Sequence, residues 1–486
     1  MSCLLAFKSG AGKHGRLVAS TVVFRRFLSS PVESPSTINS AAPYLTGQDL
    51  KLENKSPTVE RRVRNEVSRY SVGVPLEESL SPPSSWYKDP QIFQLEQEAV
   101  FLDNRNNWVA VTALDTSSAS TSTSTRKPGF YQTGTFLGQP YLLTRNQKGT
   151  LQAFYNVCTH MGSCLVGPWT NQCHSSSSAS SKISLTSSLV GQSTQGNLTK
   201  RANAQTSFQC PYHGWQFNLD GRLTKATHVK GIQNFRAKDF SLKQIPLKQV
   251  GPVVFLNFAA AGNKQVDGYD GSNGHKDLFD QSRSLFLDRL GQNGFLPDLS
   301  NMKLVKTKQY TVKCNWKVFC DNYGDGCYHC SFAHADLAAN IDETNYSTEI
   351  LSPHLTIQQA PPSDADDERF GTKTAIYAQW YPNIMLNRYG PWLDLDLVTP
   401  LDVATTQVTK AWFLETDYPV PSATYLDTSL QSSEQVHEED VFLCENVQLG
   451  LQSRGFEAGR YVPSKQIATY HFHQRLATDL RLHCLS

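Results

Sequence analysis

The 486-residue chain lacks a surplus of charge of either sign. Its 45 lysines and arginines nearly balance 43 acidic residues, for a formal net charge of +2. It therefore has neither the broad basic field typical of nucleic-acid-binding proteins nor an acidic tail. No apolar run approaches the roughly 18 residues of a membrane-spanning helix, so we expect a soluble protein. At this length we expect two or three domains with sizeable cores.

The cysteines lack the regular pairing of a disulfide framework. Their number, 11, is odd, and their spacing is irregular. In a chain of this size such cysteines are more typical of intracellular thiols and metal ligands. The cysteines that lie close to histidines are therefore the first candidates for a functional site.

Acidic residues are missing from the first 32 residues, although this segment contains five lysines and arginines. A basic, serine-containing and acid-free start is typical of an organelle transit peptide, either mitochondrial or chloroplast, and a disordered basic arm is the alternative. Residues 33–84 are rich in serine, proline and charge, and we expect them to form a disordered linker or arm.

The remainder divides into two regions. Residues 85–260 alternate apolar and polar side chains between turn signals, which predicts short antiparallel strands. Two stretches within them, 116–129 and 174–200, have too little apolar content to pack and are expected to be exposed serine-rich insertions. Residues 261–486 mix strands with helices. The helical patterns of this second region lie near residues 280–291, 315–337 and 438–453.

Two short segments each place one cysteine and one histidine on a turn. The segment "CTHMG" contains Cys158 and His160, and "CPYHG" contains Cys210 and His213. Zinc fingers usually take two cysteines from one turn and two histidines from a helix, whereas here each turn provides one of each. That arrangement suits a Rieske [2Fe–2S] cluster, in which two thiolates hold one iron and two imidazoles hold the other.

These turns resemble the paired motifs Cys-x-His-x-Gly and Cys-x-x-His-Gly of the Rieske non-haem iron oxygenases. All four ligand positions match, while Met161 stands where the family usually has arginine. The resemblance implies one Rieske [2Fe–2S] cluster and one mononuclear Fe(II) per subunit. It also implies an α+β fold, with an N-terminal all-β Rieske domain followed by a helix-grip catalytic domain, and assembly as a homotrimer.

A histidine pair, His329 and His334, lies in "NWKVFCDNYGDGCYHCSFAHADL", which resembles the family's mononuclear iron signature. The resemblance implies that both histidines and a later carboxylate bind the iron as a facial triad. Asp440, in "HEEDVFLCENVQLGL", falls at the position of that carboxylate. Glu438 and Glu439 are the alternatives.

An acidic residue shortly before the first iron histidine has a separate role in the family. It hydrogen-bonds a Rieske histidine of the neighbouring subunit and so links the cluster to the iron. Asp325, four residues before His329, is the residue expected to do this here, and Asp321 is the alternative. A structural role for Asp325 in capping a helix is the other interpretation.

Within the family, residues 85–480 are most similar to the oxygenases that act on choline. The similarity implies oxidation of choline by O2 and reduced ferredoxin to betaine aldehyde hydrate, the precursor of glycine betaine, in the chloroplast stroma or, alternatively, the mitochondrial matrix. The same machinery acting on another quaternary ammonium such as carnitine, or on an aromatic ring, is the second hypothesis. An electron-transfer protein without a working iron site is the third.

The substrate pocket is expected to contain aromatic side chains. A quaternary ammonium has no proton to donate, so proteins bind it against aromatic faces. Residues 377–392 are rich in such side chains, and we expect part of them to line the pocket and the rest to be core. The expected substrate residues are Trp380, Tyr381, Tyr389 and Trp392.

Overall fold

The computed structural model describes residues 57–117, 127–167, 195–197, 207–261, 277–297, 299–363, 369–419 and 422–485. The expected transit peptide and most of both serine-rich insertions lie outside these described residues. Within the described ranges, no helix is both long and apolar enough to cross a bilayer.

The described part of the N-terminal region forms three antiparallel sheets, with strand orders β1-β11-β10, β5-β2-β3-β4-β9 and β6-β7-β8. The strands are β1 (Val109–Ala113), β2 (Phe130–Phe136), β3 (Gln139–Arg145), β4 (Leu151–Tyr155), β5 (Gln195–Asn197), β6 (Ser207–Gln209), β7 (Gln216–Asn218), β8 (Leu223–Lys225), β9 (Gln244–Ile245), β10 (Leu247–Val250) and β11 (Val253–Leu256). The predicted all-β architecture is therefore confirmed. The 174–200 segment was expected to be an exposed insertion that does not pack. Part of it, strand β5, is instead hydrogen-bonded to β2.

One seven-stranded antiparallel sheet organises the described C-terminal region, in the order β12-β18-β17-β16-β15-β14-β13. Its strands are β12 (Met302–Val312), β13 (Ser347–Ser352), β14 (Leu355–Ala360), β15 (Ala375–Trp380), β16 (Ile384–Tyr389), β17 (Trp392–Asp402) and β18 (Thr405–Glu415). Because side chains alternate along a strand, the sheet has two chemically different faces. One face packs its leucines, isoleucines and Trp380 against Phe255 of β11 and Phe279 and Phe286 of the following helix.

Eight α-helices occur in the described residues, in addition to short 3-10 and π segments. They are α1 (Pro57–Ser68), α2 (Pro90–Glu96), α3 (Leu278–Gln292), α4 (Trp316–Gly324), α5 (Cys330–Ala333), α6 (Ala335–Asn340), α7 (Ala423–Gln452) and α8 (Ile467–Leu485). The long helix α7 buries Ser429, Ser433 and His437, which recur every fourth residue and so lie on one face. Helix α4 packs against both α7 and α8. A sheet beside a long helix is the helix-grip arrangement expected from the resemblance.

Ordered structure begins earlier than the sequence analysis expected. Residues 33–84 were expected to be a disordered linker, but α1 starts at Pro57, and Val67 and Tyr70 are buried in a core that contains Phe472 and Leu476 of α8. The serine- and proline-rich composition of the whole segment obscures a short amphipathic helix, whose apolar side chains pack in the same core as those of α8. Helix α8 itself was not predicted.

Candidate active site

Helix α4 is anchored at its first turn by a buried ion pair. Asn315 caps the helix by accepting a hydrogen bond from the backbone N–H of Lys317 (3.1 Å). Lys317 Nζ lies 2.7 Å from Glu96 Oε1, and Trp316 Nε1 donates to Glu96 Oε2 (2.8 Å). Burial raises the pKa of Glu96 and lowers that of Lys317, while the ion pair opposes both shifts. The Asn-Trp-Lys segment therefore attaches the iron-site helix to α2.

A glycine directs the chain from α4 to the histidines. Gly326 has φ +55°, and a Cβ atom there would lie 1.9 Å from Gln358 Oε1 on β14. Any side chain at this position would therefore collide with the sheet, and the positive φ disfavours L-residues in addition. After this turn the backbone forms short helical segments, with His329 immediately before α5 and His334 immediately after it.

The two histidines meet an acidic residue of α7. Asp440 Oδ1 lies 3.0 Å from His334 Nε2 and 3.6 Å from His329 Nε2. The potential ligand atoms of these three residues all lie within 4.8 Å of one another. Of the two alternatives, Glu439 contacts the other ring nitrogen of His334, with Oε2 2.7 Å from Nδ1, whereas Glu438 is largely exposed near Lys308. The structure thus brings together the three expected residues, and it shows a role for Glu439 that the sequence did not.

The donor set fits a mononuclear Fe(II). Two imidazole nitrogens and one carboxylate form the facial arrangement that leaves positions open on non-haem iron. Because Glu439 engages Nδ1 of His334, the Nε2 atom is directed at the site, as is usual for metal-binding histidines. Burial by itself would raise the pKa of Asp440, but hydrogen bonds with His329 and His334 hold it below its ordinary value. Asp440 is therefore a carboxylate, the form that binds a cation.

The three residues open into a cavity of about 840 Å³, counted with its open mouth. Helices and the sheet both contribute to its wall. Helical segments supply, among others, Phe319, Tyr323, His329, His334, His437 and Asp440, and the sheet supplies Tyr377, Asn387, Tyr389, Asp394, Asp396 and Lys410. The sheet face that lines the cavity thus carries aromatic and charged side chains, whereas its opposite face is apolar.

The expected aromatic residues of the pocket are only partly at this cavity. Tyr389 lines it, but Trp380, Tyr381 and Trp392 do not. Trp380 faces the apolar side of the sheet, and Tyr381 donates a hydrogen bond to Asp479 of α8 (2.9 Å). Trp392 is buried and donates to the hydroxyl of Tyr425. The expectation for these three side chains is wrong for different reasons. Trp380 lies on the opposite face of the sheet, Tyr381 lies beyond the end of β15, and Trp392 packs against Tyr425 of α7 outside the cavity.

The two cysteine- and histidine-bearing turns have the same backbone hydrogen bonds. In each, the cysteine N–H donates to the carbonyl five residues later, and the glycine N–H donates back to the cysteine carbonyl, at 2.7–3.1 Å. Gly162 and Gly214 occupy equivalent positions with φ of +76° and +73°, where other residues are disfavoured. The two ligand segments are thus structurally equivalent, although the chain between them is long.

The cysteines and histidines of these two turns differ in their exposure to solvent. Cys158 and Cys210 are buried, whereas His160 and His213 are exposed, with ring centroids 4.7 Å apart. Trp215 stacks on the ring of His160 at 4.6 Å. Burial and the adjacent thiol of Cys210 raise the pKa of Cys158. Buried thiols on one side and exposed imidazoles on the other fit a Rieske cluster, in which thiolates would hold one iron and histidines the other.

Asp325 and Asp321 have different surroundings. Asp325 is half-buried, and its Oδ1 accepts hydrogen bonds from Gln466 (2.7 Å) and Thr469 (3.3 Å) of the C-terminal region. It makes no capping hydrogen bond to the turn that follows it. Asp321 accepts a hydrogen bond from Tyr87 (2.8 Å) and lies 2.9 Å from His473, so it belongs to an internal polar network.

Comparison with known proteins identifies both domains. The Rieske [2Fe-2S] domain model matches residues 118–236, and the model of the ring hydroxylating alpha subunit (catalytic domain) matches residues 299–481. The chloroplastic choline monooxygenase of Arabidopsis thaliana is 34% identical over 420 residues, which is 86% of each chain. The carnitine monooxygenase oxygenase subunit of Escherichia coli K12 is 26% identical, over 82% of this chain and 94% of that one.

A solved quaternary ammonium Rieske monooxygenase in complex with L-carnitine has the same fold. The TM-score is 0.60 at 23% identity, over 84% of this chain and 96% of that chain. The matched models contain the two predicted sites: Cys158, His160, Cys210 and His213 in the first, and His329, His334 and Asp440 in the second. The chain belongs to the Rieske non-haem iron oxygenases, oxidoreductases that carry a Rieske [2Fe–2S] cluster and a mononuclear iron.

Proposed function

We propose that this protein is a monooxygenase that oxidises choline to betaine aldehyde hydrate, with reduced ferredoxin as the electron donor. The observation that carries the proposal is the cavity at His329, His334 and Asp440, whose sheet wall presents tyrosine rings and a buried carboxylate. Such a wall suits a quaternary ammonium, which binds aromatic faces and anions but cannot donate hydrogen bonds. Similarity to choline monooxygenases over most of the chain supports the same assignment.

The two cofactors supply electron relay at the cluster and activation of O2 at the iron. The chain's own residues would hold the iron and orient its ligands. His334 is held by Glu439 so that Nε2 points into the site, and Asp440 provides the anionic ligand. The proposed net reaction consumes choline, one O2, two electrons and two protons, and yields the hydrated aldehyde and one water.

We also propose that a neighbouring subunit supplies the electrons, within a head-to-tail homotrimer. Large apolar side chains are exposed beside both sites: Met161 and Tyr212 beside the cluster histidines, and Phe332, which is 91% exposed, beside His334. Exposed apolar side chains of this kind are typical of interaction surfaces. Asp325 is the proposed hydrogen-bonding link between the sites. Asp321 is the weaker alternative, because its carboxylate is already engaged by Tyr87 and His473.

A chloroplast location is proposed on the printed names of the plant relatives and on the acid-free, basic N-terminal segment. Ferredoxin is the donor that this location offers. A fusion of residues 1–60 to a fluorescent protein tests the proposal, since import into chloroplasts is expected. Delivery to mitochondria instead would contradict it.

A quaternary ammonium that also carries a carboxylate is the second candidate substrate. Arg369 and Lys410 line the same cavity and could neutralise a carboxylate, and a carnitine monooxygenase subunit is among the relatives. However, Lys410 is paired with Asp396, and Arg369 donates hydrogen bonds to Ser432 and Tyr389. Both cations therefore already interact with protein groups and are less available to a substrate carboxylate, so choline fits the cavity better.

A substrate panel separates the candidates. The reconstituted protein, with iron content verified, is supplied with reduced ferredoxin, O2 and either choline, carnitine, γ-butyrobetaine or glycine betaine. The products are measured by mass spectrometry. We expect betaine aldehyde from choline at the highest kcat/KM of the panel. A higher kcat/KM for a carboxylate-bearing substrate would support the second candidate and contradict the first.

A further inference from the structure

Asp394 on β17 has one carboxylate oxygen fully engaged and one without a partner. Its Oδ2 accepts hydrogen bonds from the hydroxyl of Tyr389 (2.6 Å) and from Ser433 of α7 (3.0 Å). Its Oδ1 has no hydrogen-bond partner among the described residues. The side chain is 2% exposed and lines the cavity that contains the iron ligands. A buried anionic oxygen left without a donor indicates a missing ligand.

The engaged oxygen is held by a continuous set of donors, so the carboxylate has a fixed orientation. Arg369 donates to the hydroxyl of Tyr389 (3.0 Å), which donates to Asp394. Trp412 Nε1 donates to Ser433 (2.9 Å), which donates to the same oxygen. A side chain that is positioned in this way holds its negative charge in a fixed place in the cavity wall.

Aromatic groups accompany this free oxygen. Tyr377 on β15, Asn387 on β16 and Asp394 on β17 are paired in register across three adjacent strands, and all three line the cavity. The ring of Tyr389, two residues from Asn387, lines it too. Anionic oxygen and aromatic faces are both groups that contact the methyl surface of a quaternary ammonium, and neither requires the ligand to donate a hydrogen bond.

The neighbouring carboxylate on the same strand differs. Both oxygens of Asp396 lie 3.2 Å from Lys410 Nζ, so this carboxylate is paired within the protein. Burial raises the pKa of Asp394, and the nearby cations Lys410 and Arg369 oppose that rise. A bound quaternary ammonium would add a third opposing charge, so that ligand binding and ionisation of Asp394 would stabilise each other.

We propose that the carboxylate of Asp394, in the cavity wall, stabilises the trimethylammonium group of the substrate electrostatically and is the residue that selects a cation over a neutral molecule of the same shape. The inference rests on the proposed oxidation of a quaternary ammonium alcohol. The iron ligands all come from helical segments, whereas Asp394 comes from the sheet. An ammonium group held at the sheet wall leaves the hydroxyl-bearing carbon directed toward the iron ligands.

The test compares choline with 3,3-dimethylbutan-1-ol, its neutral carbon isostere, in wild type and Asp394→Asn. We expect the wild type to prefer choline, and Asp394→Asn to lose at least about tenfold of that preference through a raised KM for choline, with little change for the isostere. The matched control is Asp402→Asn, which removes an exposed carboxylate at the end of the same strand, outside the cavity, and should leave the preference for choline unchanged.

The outcomes separate this inference from the proposed function. A wild type that oxidises neither choline nor any other quaternary ammonium would contradict the proposed function. A wild type that prefers choline, together with an Asp394→Asn enzyme that keeps the full preference, would overturn the role of Asp394 alone. The Rieske absorption spectrum reports folding of each variant. If Asp394→Asn does not yield cluster-bearing protein, Asp394→Ser, which is smaller and also neutral, is judged by the same criterion.

Discussion

The two metal sites of this protein are built in contrasting ways. The four proposed cluster ligands lie on two short, equivalent turns, each closed by the same pair of backbone hydrogen bonds and a left-handed glycine. The proposed iron ligands are His329 and His334, on either side of α5, and Asp440, more than one hundred residues later on α7. Only the packing of α4, α7 and the sheet brings the iron ligands together.

Because one site is built locally and the other by long-range packing, substitutions in the two sites should have different functional effects. Within each turn, the ligand geometry of the cluster site is set by local backbone structure. The iron site depends on long-range contacts, such as the buried pair of Lys317 and Glu96 and the hydrogen bond from His334 to Glu439. Its cavity wall, to which five sheet strands, α4 and α7 contribute, should also determine substrate choice. Substitutions in the cavity should therefore alter specificity, whereas substitutions in the turns should alter electron transfer.

The largest effect is expected for Asp440→Ala. Removing the carboxylate breaks the facial triad, so the mononuclear iron should be lost and turnover should fall to background, while the cluster remains intact and reducible. Iron analysis and the Rieske spectrum measure both. Glu438→Ala, on the same helix but largely exposed, is the matched control and should keep all of the iron. An Asp440→Ala protein with full iron content would contradict the ligand assignment.

His213→Cys changes the cluster site and leaves the iron site untouched. Replacing a neutral ligand by an anionic one should lower the cluster potential by a few hundred millivolts and change the spectrum toward that of an all-cysteine cluster. Because the two sites are built separately, mononuclear iron should still bind. Redox titration with parallel iron analysis gives both results. An unchanged spectrum would show that His213 is not a ligand.

The proposed link between the sites is tested by Asp325→Asn, which nearly preserves volume. Loss of a charge-assisted hydrogen bond should reduce the rate of electron transfer roughly 10- to 100-fold, with both metal centres still present. Stopped-flow oxidation of the reduced cluster by O2 with choline measures this rate. Asp321→Asn should instead lower thermal stability, since it disrupts the network with Tyr87 and His473. If Asp321→Asn is the variant defective in transfer, the link is Asp321.

The smallest effect is expected for Glu439→Gln. Gln keeps a hydrogen bond to His334 Nδ1 but not its charge, so iron affinity should fall about tenfold, at the lower end of losses for residues that orient metal ligands. Competition with a chelator measures the affinity. An unchanged affinity would mean that the 2.7 Å contact does not orient the ligand in the metal-bound state.

The difference between local turns and long-range contacts also explains which site residues could be predicted from the sequence. The proposed cluster ligands could be predicted because each turn contains its cysteine and histidine within four residues. They are Cys158, His160, Cys210 and His213. Asp440 could be reached only through resemblance, because its contact with His334 is a tertiary one. The orienting role of Glu439 and the free oxygen of Asp394 depend on the packing of α7 and β17 against their neighbours, which no local pattern encodes. Trp380 was misassigned because a dense aromatic run does not show which side chains share a face of the sheet.

The proposed coupling of cluster oxidation to choline oxidation is tested most directly in a single turnover. Enzyme with a fully reduced cluster and bound mononuclear Fe(II), which together hold the two electrons that one turnover needs, is mixed with O2 and choline labelled with deuterium at the hydroxyl-bearing carbon, without added reductant. We predict that each cluster oxidised is accompanied by formation of one betaine aldehyde that has lost one deuterium. Cluster oxidation with O2 consumed but no product from choline would contradict the proposed function.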